Sequence, residues 1–551
     1  MTGVPESTFQ RSDQGRSVVM TPGGIVAAES PLAAQAGVQA LARGGSAVDA
    51  AIAANAVMGV VSPMMNGIGG DLFAMVYDAR SGKRYGINAS GWAPRGLTPE
   101  FLHAHGLEKM PGHGIHTVTV PGAVEGWTKL HERFGRRPLA EDLSAAIRIA
   151  AEGAPVTEWV NQYWQEGAGT LAGDPAAEKL FLPGGRVPHV GEIFRNPELA
   201  GSLRDIAEGG RDAFYRGRIS KKILVTEARL GGTMSAEDLA EYSAEWVEPI
   251  STTYRGWTVY EMPPNGQGIA ALVMLNIAEN FALPQLGHNS ADALHVLIEA
   301  KKLAYADLLR YVGDTRFAKV PVSELLSKEY SKQRAAQIDP AKANDLVSAG
   351  APSAGDTTFL AAVDREGNQA SLIQSIYERF GSGILAREGG FVLQNRGAFF
   401  NLDPASPNVL AGRKRPLHTI IPAQMERGSI RIAFGIMGAW NQAQAHAQFA
   451  ANVVDFDLNI QAALEAPRFS KHTFAGCDVE MEDRIPASVR VELEARGHQI
   501  QVRPGYSQSV GGGQAVMRDY AARVNYGASD PRKDGAAIPE PDEAVSPRMA
   551  P

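Results

Sequence analysis

Two adjacent threonines, Thr357 and Thr358, stand at the start of a predicted β-hairpin. Strand-forming residues fill 357–363 and 370–377, with a polar, glycine-containing turn between them. A threonine hydroxyl alone is a poor nucleophile, but a chain cut before Thr357 would hold a free α-amine beside that hydroxyl as its base. An α-amine titrates near about 7.7–8 and accepts a proton at neutral pH. The pair indicates either a self-sufficient nucleophile or simply the β propensity of threonine.

The residues before Thr357 suit a cleavage site. The segment 351–356 consists mostly of small and turn-forming residues, and it ends in Gly355 and Asp356. Glycine reaches the strained backbone conformations that self-cleavage of a peptide bond requires. We therefore expect this segment to be a loop that presents the bond between Asp356 and Thr357.

Other common catalytic arrangements have no support in the sequence. It contains no G-x-S-x-G nucleophile elbow and no G-x-x-x-x-G-K-[ST] phosphate loop. The single cysteine, Cys477, has no sequence neighbour that would activate it, which predicts an inert thiol. Four histidines lie close together in a glycine-containing stretch that predicts a surface loop, and they match no zinc spacing. They are His103, His105, His113 and His116. We expect neither a metal nor an organic cofactor.

The composition is that of a globular α/β protein. The 551 residues are 44% hydrophobic and 21% charged, with a net charge of −7. This weak negative charge excludes a polybasic protein that binds nucleic acid or membrane headgroups. No stretch approaches the roughly 20 apolar residues that span a membrane, and the N-terminal residues lack the apolar run of a secretory signal. We therefore expect a cytoplasmic protein.

The predicted elements around the hairpin are mostly helices. An alanine-rich stretch over 29–61 predicts two buried helices separated by a Gly-Gly pair. Ser46, with Asp49 three residues later, predicts a capping box at the start of the second helix. A strand follows over 72–77, and the region 139–339 is predicted to be mainly helical. The proline-rich and acidic residues 536–551 predict a loosely held tail.

From about Gly24 to about Asp534, the sequence resembles the γ-glutamyltranspeptidase family of N-terminal-nucleophile hydrolases. The resemblance rests on several segments in the same order along the chain. They are ESPLAAQAGVQALARGGSAVDAA at 29–51, NGIGGDLF at 66–73, VPGAVEGW at 120–127, DTTFLAAVDREGN at 356–368, FGSGI at 380–384, KRPLHTIIP at 414–422, EAPRF at 465–469 and GASDPR at 527–532. The pattern is similar to the branch that includes oxamate amidohydrolases and γ-glutamyltransferase-like proteins.

The resemblance implies a four-layer αββα sandwich of the α/β class. It also implies a proenzyme that cuts itself between Asp356 and Thr357. The products would be a large subunit, 1–356, and a small subunit of 195 residues, 357–551. These subunits would stay packed as one intertwined domain, and a dimer of such heterodimers is a further possibility.

The family's catalytic roles fall on four residues of this chain. Thr357 would attack an amide carbonyl, form an acyl-enzyme, and release the acyl group to water or to an acceptor amine. Ser375, eighteen residues downstream, matches the hydroxyl that assists the nucleophile. Gly438 and Ala439 match the pair whose backbone N–H groups form the oxyanion hole. Losing one such donor typically costs about 3–4 kcal/mol.

The substrate-recognition positions differ from those of the family. Ser90 stands where an arginine holds the glutamyl α-carboxylate, and Phe399 stands where an acidic residue holds the α-amino group. His418 and Thr419 replace two serines, and Tyr377 replaces an asparagine. The lid loop before the KRPLHTIIP segment is also shorter. A site without these groups has little hold on a zwitterionic glutamyl head.

Arg396 is a cation at a position that faces the substrate in the family. Because its planar fork suits a carboxylate, we predict that it anchors a small carboxylate-bearing amide of the oxamate or glutaryl type. The alternative is that Arg396 pairs only with a structural acid such as Glu388. The other predicted pocket residues are Ser90, Tyr377, Asn395, His418, Thr419 and Trp440.

Three functions remain open from the sequence. The first is a self-processing amidase that mainly hydrolyses its substrate, because a short lid leaves water free access to the acyl-enzyme. The second is an authentic γ-glutamyltransferase or glutathione hydrolase. The third is an uncut relative that works as a binding or scaffold protein. The sequence leaves open the identity of the amide and the oligomeric state.

Overall fold

A computed structural model describes residues 14–345 and 356–541, with the backbone alone described at Asp356. The predicted loop at 351–355 and the residues 542–551 of the predicted tail lie outside this part of the chain. No helix within the described ranges is both long enough and apolar enough to span a membrane.

The described strands form two large sheets and two small ones. The strands are β1 (Val19–Thr21), β2 (Ile25–Ala28), β3 (Asp71–Asp78), β4 (Lys83–Ala89), β5 (Ala154–Pro155), β6 (Ile193–Phe194), β7 (Glu245–Val247), β8 (Ile250–Tyr254), β9 (Trp257–Glu261), β10 (Asp356–Val363), β11 (Gln369–Tyr377), β12 (Ala423–Arg427), β13 (Ile430–Ile436), β14 (Phe469–Ser470), β15 (Asp478–Glu482), β16 (Gln499–Arg503), β17 (Gly513–Asp519), β18 (Val524–Ser529) and β19 (Ala536–Pro539).

Each large sheet has seven strands, and every neighbouring pair within it is antiparallel. Sheet I has the order β1-β18-β17-β13-β12-β9-β8, and sheet II has the order β19-β2-β10-β11-β3-β4-β7. Two smaller sheets, β14-β15-β16 and β5-β6, lie outside this pair.

Helices cover the outer faces of both large sheets. The helices are α1 (Pro31–Ala42), α2 (Ala47–Val61), α3 (Pro99–Ala104), α4 (Ala123–Phe134), α5 (Leu139–Glu152), α6 (Glu158–Gly167), α7 (Pro175–Phe181), α8 (Pro197–Tyr215), α9 (Arg218–Leu230), α10 (Ala236–Ala240), α11 (Gly268–Ala278), α12 (Leu283–Leu286), α13 (Ala291–Tyr311), α14 (Val322–Leu325), α15 (Lys328–Ala335), α16 (Gln442–Val454), α17 (Ile460–Glu465) and α18 (Ala487–Ala495).

Three apolar clusters separate the four layers. One cluster packs α11, α13 and α16 on sheet I, and a second packs α1, α2, α4, α5 and α8 on sheet II. The third lies between the sheets. Its side chains are Ile25, Ala27, Phe73, Met75, Met262, Phe359, Ala361, Val363, Ile373, Ile420, Ala433 and Val516. The predicted αββα sandwich is therefore confirmed.

The central strand β10 shows how the sequence fits these layers. Phe359, Ala361 and Val363 face the other sheet, whereas Leu360 and Ala362 pack against the helices, as the two-residue period of a strand requires. The predicted hairpin is confirmed, because β10 pairs with β11 in the antiparallel sense.

Close approach of the two sheets depends on a glycine in β13. A Cβ at Gly435 would lie 2.5 Å from the ring of Phe359, well inside van der Waals contact. The β10 strand therefore lies directly over the end of β13, and the turn that follows β13 reaches the start of β10.

Two local predictions from the N-terminal third hold. The alanine-rich stretch forms α1 and α2, and the second helix begins with a capping box. In that box the Ser46 hydroxyl accepts from the Asp49 N–H at 3.2 Å, and the Asp49 carboxylate accepts from the Ser46 N–H at 2.7 Å.

Two other predictions need correction. The middle region is mainly helical as predicted, but it also supplies β7, β8 and β9 to the large sheets. The predicted loose tail starts too early, because Ala536–Pro539 form β19 and pair with β2 at the edge of sheet II. The pairing satisfies backbone groups that a local composition argument does not consider.

Candidate active site

The predicted nucleophile lies at the N-terminal end of β10, in the middle of sheet II. Thr357 is 1% exposed. Between the pairs Asp356–Tyr377 and Thr358–Gln374, β10 contributes one residue and β11 contributes two, which makes a β-bulge at Thr357. The bulge interrupts the regular ladder at the bond that the sequence predicts to be cut.

The second threonine of the pair holds the strand end in place. Its hydroxyl, Thr358 Oγ1, accepts from Asn66 Nδ2 at 2.8 Å. The next amide, the N–H of Phe359, donates to Glu29 Oε1 at 2.8 Å. These contacts attach the start of β10 to the glycine turn before β3 and to Glu29, two residues before α1.

Ser375, the predicted assistant of the nucleophile, lies on β11 beside Thr357. It is fully buried, and its Oγ accepts from the N–H of Tyr377 at 2.8 Å. The bulge brings the Ser375–Ile376 pair opposite Thr357. The structure therefore places the predicted hydroxyl on the neighbouring strand at the level of the nucleophile.

The turn after β13 has the backbone geometry of an anion site. Gly438 has φ +123° and Ala439 has φ +48°, so both lie in the left-handed region. An alanine there costs about 1–2 kcal/mol relative to the right-handed form. Neither the Gly438 nor the Ala439 N–H donates to an acceptor within the described chain. Two free N–H donors on adjacent residues are what an oxyanion hole requires.

Gln267, which the sequence analysis did not single out, braces this turn. Its Nε2 donates to the carbonyl oxygens of Thr419, at 2.6 Å, and of Ala439, at 2.8 Å. Tyr305 OH donates to the carbonyl of Trp440 and lies 3.0 Å from Gln267 Oε1. Because these residues are buried, the network fixes the strained turn against the segment that holds Arg396.

A second missed residue, Gln442, contacts the nucleophile itself. Gln442 Nε2 lies 3.4 Å from Thr357 Oγ1, and Gln442 Oε1 accepts from the N–H of Ile421 at 3.0 Å. Gln442 is fully buried at the first position of α16. In the sequence it is one of several glutamines in the stretch NQAQAHAQ, which gave no sign that this one differs.

Arg396 is fully buried, and only one of its guanidinium nitrogens has a hydrogen-bond partner in the described part of the chain. Its Nη1 donates to Thr419 Oγ1 at 2.8 Å, whereas Nε and Nη2 have no hydrogen-bond partner. Those two atoms lie on one edge of the guanidinium plane, the edge that makes two parallel hydrogen bonds to a carboxylate. Burial lowers the pKa of Arg396 to about 10, and the negative charge of Asp71 opposes this shift. The group is therefore a cation at neutral pH.

Aromatic rings surround this cation. The Arg396 guanidinium lies 4.7 Å from the centre of the Tyr377 ring and 5.4 Å from that of Phe399. Phe399 in turn packs edge-on to Trp440 at 5.2 Å between ring centres. Trp440 Nε1 is buried and has no partner. The pocket wall thus carries unpaired N–H donors and ring faces.

His418 is adjacent to the pocket but its ring nitrogens are both engaged. Nε2 lies 3.0 Å from Asp71 Oδ2, and Nδ1 accepts from the N–H of Ile420 at 3.3 Å. Burial, followed by the charge of Arg396, lowers the pKa of His418 to about 4. His418 is therefore neutral, and its Nε2–H donates to Asp71. The ring shapes the site through this pair.

Asp71 organises the floor of the site, a role the sequence analysis missed. Its Oδ1 accepts from Gln394 Nε2 at 2.8 Å and from the N–H groups of Gly91, at 2.9 Å, and Gly122, at 3.2 Å. With His418 on Oδ2, this carboxylate has hydrogen bonds on both oxygens. It ends the glycine turn NGIGGD, and that turn was the one available signal.

Two predicted pocket residues have their side chains committed to the scaffold. Asn395 Nδ2 donates to the Gly112 carbonyl at 2.8 Å and to Glu378 Oε2 at 3.0 Å, and its Oδ1 accepts from the Glu378 N–H. Ser90 Oγ accepts from Asn265 Nδ2 at 3.2 Å. Both residues therefore support the pocket rather than present free groups to it.

The predicted alternative for Arg396 is wrong. Glu388 is exposed, whereas Arg396 is fully buried, and within the described residues no carboxylate is hydrogen-bonded to the Arg396 nitrogens. Thr419 is instead its hydrogen-bond partner. The cation is held in place by a neutral hydroxyl and by rings.

The four clustered histidines take separate structural places. His103 belongs to α3 rather than to a loop, and the rings of His105 and His116 pack on Phe101. His113 Nε2 lies 3.1 Å from Glu378 Oε2, and its Nδ1 lies 3.0 Å from the Gly381 carbonyl oxygen. This stretch therefore covers the turn after β11.

The lone thiol lies away from the site. Cys477 is buried, and its Sγ lies 3.6 Å from Lys302 Nζ. Lys302 Nζ also donates to Glu299 Oε1 at 2.7 Å and to the Asn344 carbonyl at 2.9 Å. An ammonium with these partners holds neighbouring chain segments together.

Comparison with known proteins agrees with the geometry. The sequence matches the profile described as Gamma-glutamyltranspeptidase over residues 33–540. The chain belongs to the gamma-glutamyltranspeptidase family. It is an enzyme of the amide hydrolase and acyltransferase class with the N-terminal-nucleophile hydrolase fold.

Three relatives align with nearly the whole of this chain. The glutathione hydrolase-like YwrD proenzyme of Bacillus subtilis is 36% identical, over 92% of this chain and 96% of its own length. The oxamate amidohydrolase proenzyme of Klebsiella pneumoniae is 33% identical, over 93% and 98% respectively. The crystal structure of the cephalosporin acylase of Bacillus halodurans superposes with a TM-score of 0.90 at 41% identity, and covers 98% of this chain and 99% of that chain.

Proposed function

We propose that this family member is a self-processing Thr357 amidohydrolase that acts on small amides whose acyl part carries a free carboxylate. The acyl group passes through an ester on Thr357 and is released mainly to water. Oxamate-like and glutaryl-like amides fit this description. The named activities of the oxamate amidohydrolase and cephalosporin acylase relatives support an amide substrate other than glutathione.

The proposal that the substrate carries a carboxylate rests on one observation. Arg396 is fully buried, with the Nε–Nη2 edge unpaired. A buried cation without a carboxylate partner is unfavourable by several kcal/mol, and a ligand carboxylate would remove that penalty. Such unpaired and perturbed charges concentrate at functional sites. The substrate is therefore expected to supply the missing anion.

The groups around Arg396 give an ammonium little to bind. Among the described residues the unpaired atoms of Arg396 and Trp440 are N–H donors, and Phe399 stands where the resemblance implies an acid. An α-amino group beside Arg396 would lie near a cation and aromatic rings. Such a site disfavours a γ-glutamyl group and favours a glutaryl group, which is the same acyl group without the α-amine.

Processing would begin with the uncut bond at the β10 bulge. Thr357 Oγ attacks the carbonyl carbon of Asp356, and the C–N bond to Thr357 breaks to give an ester. Water then hydrolyses that ester. The products are a carboxylate on Asp356 and a free α-amine on Thr357.

Turnover would use that new amine as the base. It takes the Thr357 hydroxyl proton while Oγ bonds to the substrate carbonyl, and it returns a proton to the leaving amine as the C–N bond breaks. The N–H groups of Gly438 and Ala439 would stabilise the oxyanion. Water, with the same amine as base, finally hydrolyses the acyl ester.

The sheet order supports subunits that stay together after the cut. Sheet II contains strands from both sides of the cut. β11, β19 and all of β10 after Asp356 belong to the small subunit, whereas β2, β3, β4 and β7 belong to the large one. Sheet I is mixed in the same way, with β1, β8 and β9 before the cut. Separation would expose the apolar layer between the sheets.

A matched pair of chromogenic substrates tests the proposal. Glutaryl para-nitroanilide and γ-glutamyl para-nitroanilide differ only in the α-amino group. We expect wild-type kcat/KM to be at least about 10-fold higher for the glutaryl compound. The Arg396→Met variant should lose about 100-fold or more on it, and Arg396→Lys should fall between them because it keeps the charge without the fork.

Each contrary result selects a different function. A higher kcat/KM for the γ-glutamyl compound and for glutathione would identify a glutathione hydrolase. A wild-type protein that stays as one uncut polypeptide on a denaturing gel would identify a non-catalytic relative. Thr357→Ala is the control for both assays, and it should remain uncut and inactive.

A further inference from the structure

Gln442 is a buried amide that touches the nucleophile. It is fully buried, and its Nε2 lies 3.4 Å from Thr357 Oγ1. None of the roles described above for Ser375, Gly438 and Ala439 uses this contact. The role inferred for Gln442 rests on the proposed function, because it concerns the same hydroxyl.

The orientation of the Gln442 amide is fixed by a backbone group. The N–H of Ile421 donates to Gln442 Oε1 at 3.0 Å. A flipped amide would place Nε2, itself a donor, against the Ile421 N–H, and two donors cannot bond to each other. Nε2 must therefore point toward Thr357 Oγ1.

This orientation constrains the hydroxyl proton. An oxygen that accepts a hydrogen bond from Gln442 uses one lone pair for it, and its own O–H points elsewhere. We propose that Gln442 orients the Thr357 hydroxyl so that its lone pair faces the carbonyl under attack and its proton faces the base. In the cut enzyme that base is the α-amine of Thr357.

The position of Gln442 links the nucleophile to the oxyanion turn. Gln442 begins α16 directly after the turn, and the Asn441 N–H donates to the Gly438 carbonyl at 2.8 Å. Gln267 braces the same turn through Ala439. Gly438, Ala439 and Gln442 therefore lie on one short hydrogen-bonded segment, and such positioning keeps reacting atoms aligned.

The same helix contains a matched control. Gln448 is 5% exposed, and its Oε1 accepts from the Phe469 N–H at 3.2 Å while its Nε2 donates to the Phe469 carbonyl at 3.1 Å. Its amide is thus oriented by a backbone N–H just as that of Gln442 is. Its Nε2 also donates to the Gln444 carbonyl at 3.2 Å, and none of these partners contacts Thr357.

The experiment compares Gln442→Met and Gln442→Glu with Gln448→Met. Methionine keeps the volume and removes the donor, and glutamate keeps the acceptor for Ile421 and removes the donor. The measurements are the rate of precursor cutting, kcat and KM for glutaryl para-nitroanilide, and the Tm of each protein. A kcat measured per cut molecule separates turnover from processing.

Both Gln442 variants should cut slowly and lose about 100-fold in kcat, the penalty typical of a misplaced nucleophile. Their KM should change by less than about threefold, because substrate binding rests on Arg396. Gln448→Met should keep wild-type cutting and kcat even if its Tm falls as far as that of Gln442→Met. That contrast separates a role at the hydroxyl from a role in packing.

The inference is overturned if a folded Gln442 variant cuts and turns over at the rate of Gln448→Met. It is also overturned if Gln442→Met fails to fold while Gln442→Glu folds with normal kcat. In either case Thr357→Ala decides the larger question. If that variant is inert, only the role of Gln442 fails, and if it is cut and active, the proposed function fails as well.

Discussion

Arg532 and Arg396 are both fully buried, but their guanidinium groups meet opposite surroundings. Arg532 bonds Glu482 at 2.6 and 2.7 Å and Asp530 at 3.0 Å, and its remaining N–H groups reach carbonyl oxygens. Arg396 has one hydroxyl partner and an unpaired edge. Both side chains are fully buried, so burial alone does not explain why only Arg532 has carboxylate partners.

The pKa directions express the same contrast. Burial acts to lower the pKa of Arg532, but the charges of Asp530 and Glu482 outweigh it and raise that pKa above its ordinary value. Burial lowers the pKa of Arg396 to about 10, because the acids near it are too few or too distant to compensate. Arg532 links segments of the C-terminal part of the fold, whereas the charge of Arg396 is not paired with an acid of the described chain and can bind an anionic ligand.

Replacement of Arg532, the arginine paired with acids, should cause the largest loss of stability. Arg532→Met leaves Glu482 and Asp530 buried with fewer partners, and breaking a buried pair in this way costs about 3–5 kcal/mol. We expect a lower yield of folded protein and a large fall in the urea midpoint of unfolding. A midpoint equal to that of wild type would remove the contrast between the two arginines.

Glutarate, a dicarboxylate probe, should stabilise the protein through Arg396. At 100 times its Kd, a ligand that binds only the folded state adds about 2.7 kcal/mol. Titration should raise the Tm of the cut wild-type protein and leave that of Arg396→Met unchanged. Equal shifts in the two proteins would mean that glutarate binds elsewhere.

An acid introduced beside Arg396 should shift substrate preference. Phe399→Asp restores the carboxylate that the sequence comparison leads us to expect in relatives that bind an α-amino group. It would also offer Arg396 a partner. The ratio of kcat/KM for γ-glutamyl over glutaryl para-nitroanilide should rise by about 10-fold, and Phe399→Asn serves as the uncharged control. An unchanged ratio would place the α-amino position away from Phe399.

Arg396→Met should have the smallest effect on stability, and its sign should be opposite to that of Arg532→Met. The apolar side chain fits among Tyr377 and Phe399 and removes an uncompensated cation, so we expect a gain of about 1 kcal/mol in the free energy of unfolding. The measurement is urea unfolding without ligand. A loss comparable to that of Arg532→Met would show that Arg396 is structural.

The sequence predicted well what depends on short-range pattern. The alanine-rich helices, the capping box at Ser46 and the β10–β11 hairpin follow from local spacing. The pairing of β19 with β2 was missed, because it joins segments about 510 residues apart in the chain and short composition windows do not register such contacts. Edge pairing of this kind is decided by the assembled sheet.

The sequence predicted those site residues that lie in recognisable motifs. The threonine-led hairpin indicated Thr357, and the family resemblance located Ser375 and the turn at Gly438. The structure places Ser375 on the strand beside Thr357 and gives Gly438 and Ala439 a left-handed backbone. Gln267 and Gln442 were missed, because buried amides in helix starts have no distinctive pattern. Their roles emerge only from the groups that they meet across the sheets.

The most direct test of the account is acid quench of the cut protein during turnover of glutaryl para-nitroanilide, followed by intact mass and peptide mapping. We expect a small subunit that begins TTFLAAV and carries a glutaryl ester on its first residue. The Arg396→Met protein should carry far less of that ester under the same conditions. A small subunit with another N-terminus, or an acyl group on another side chain, would contradict the account.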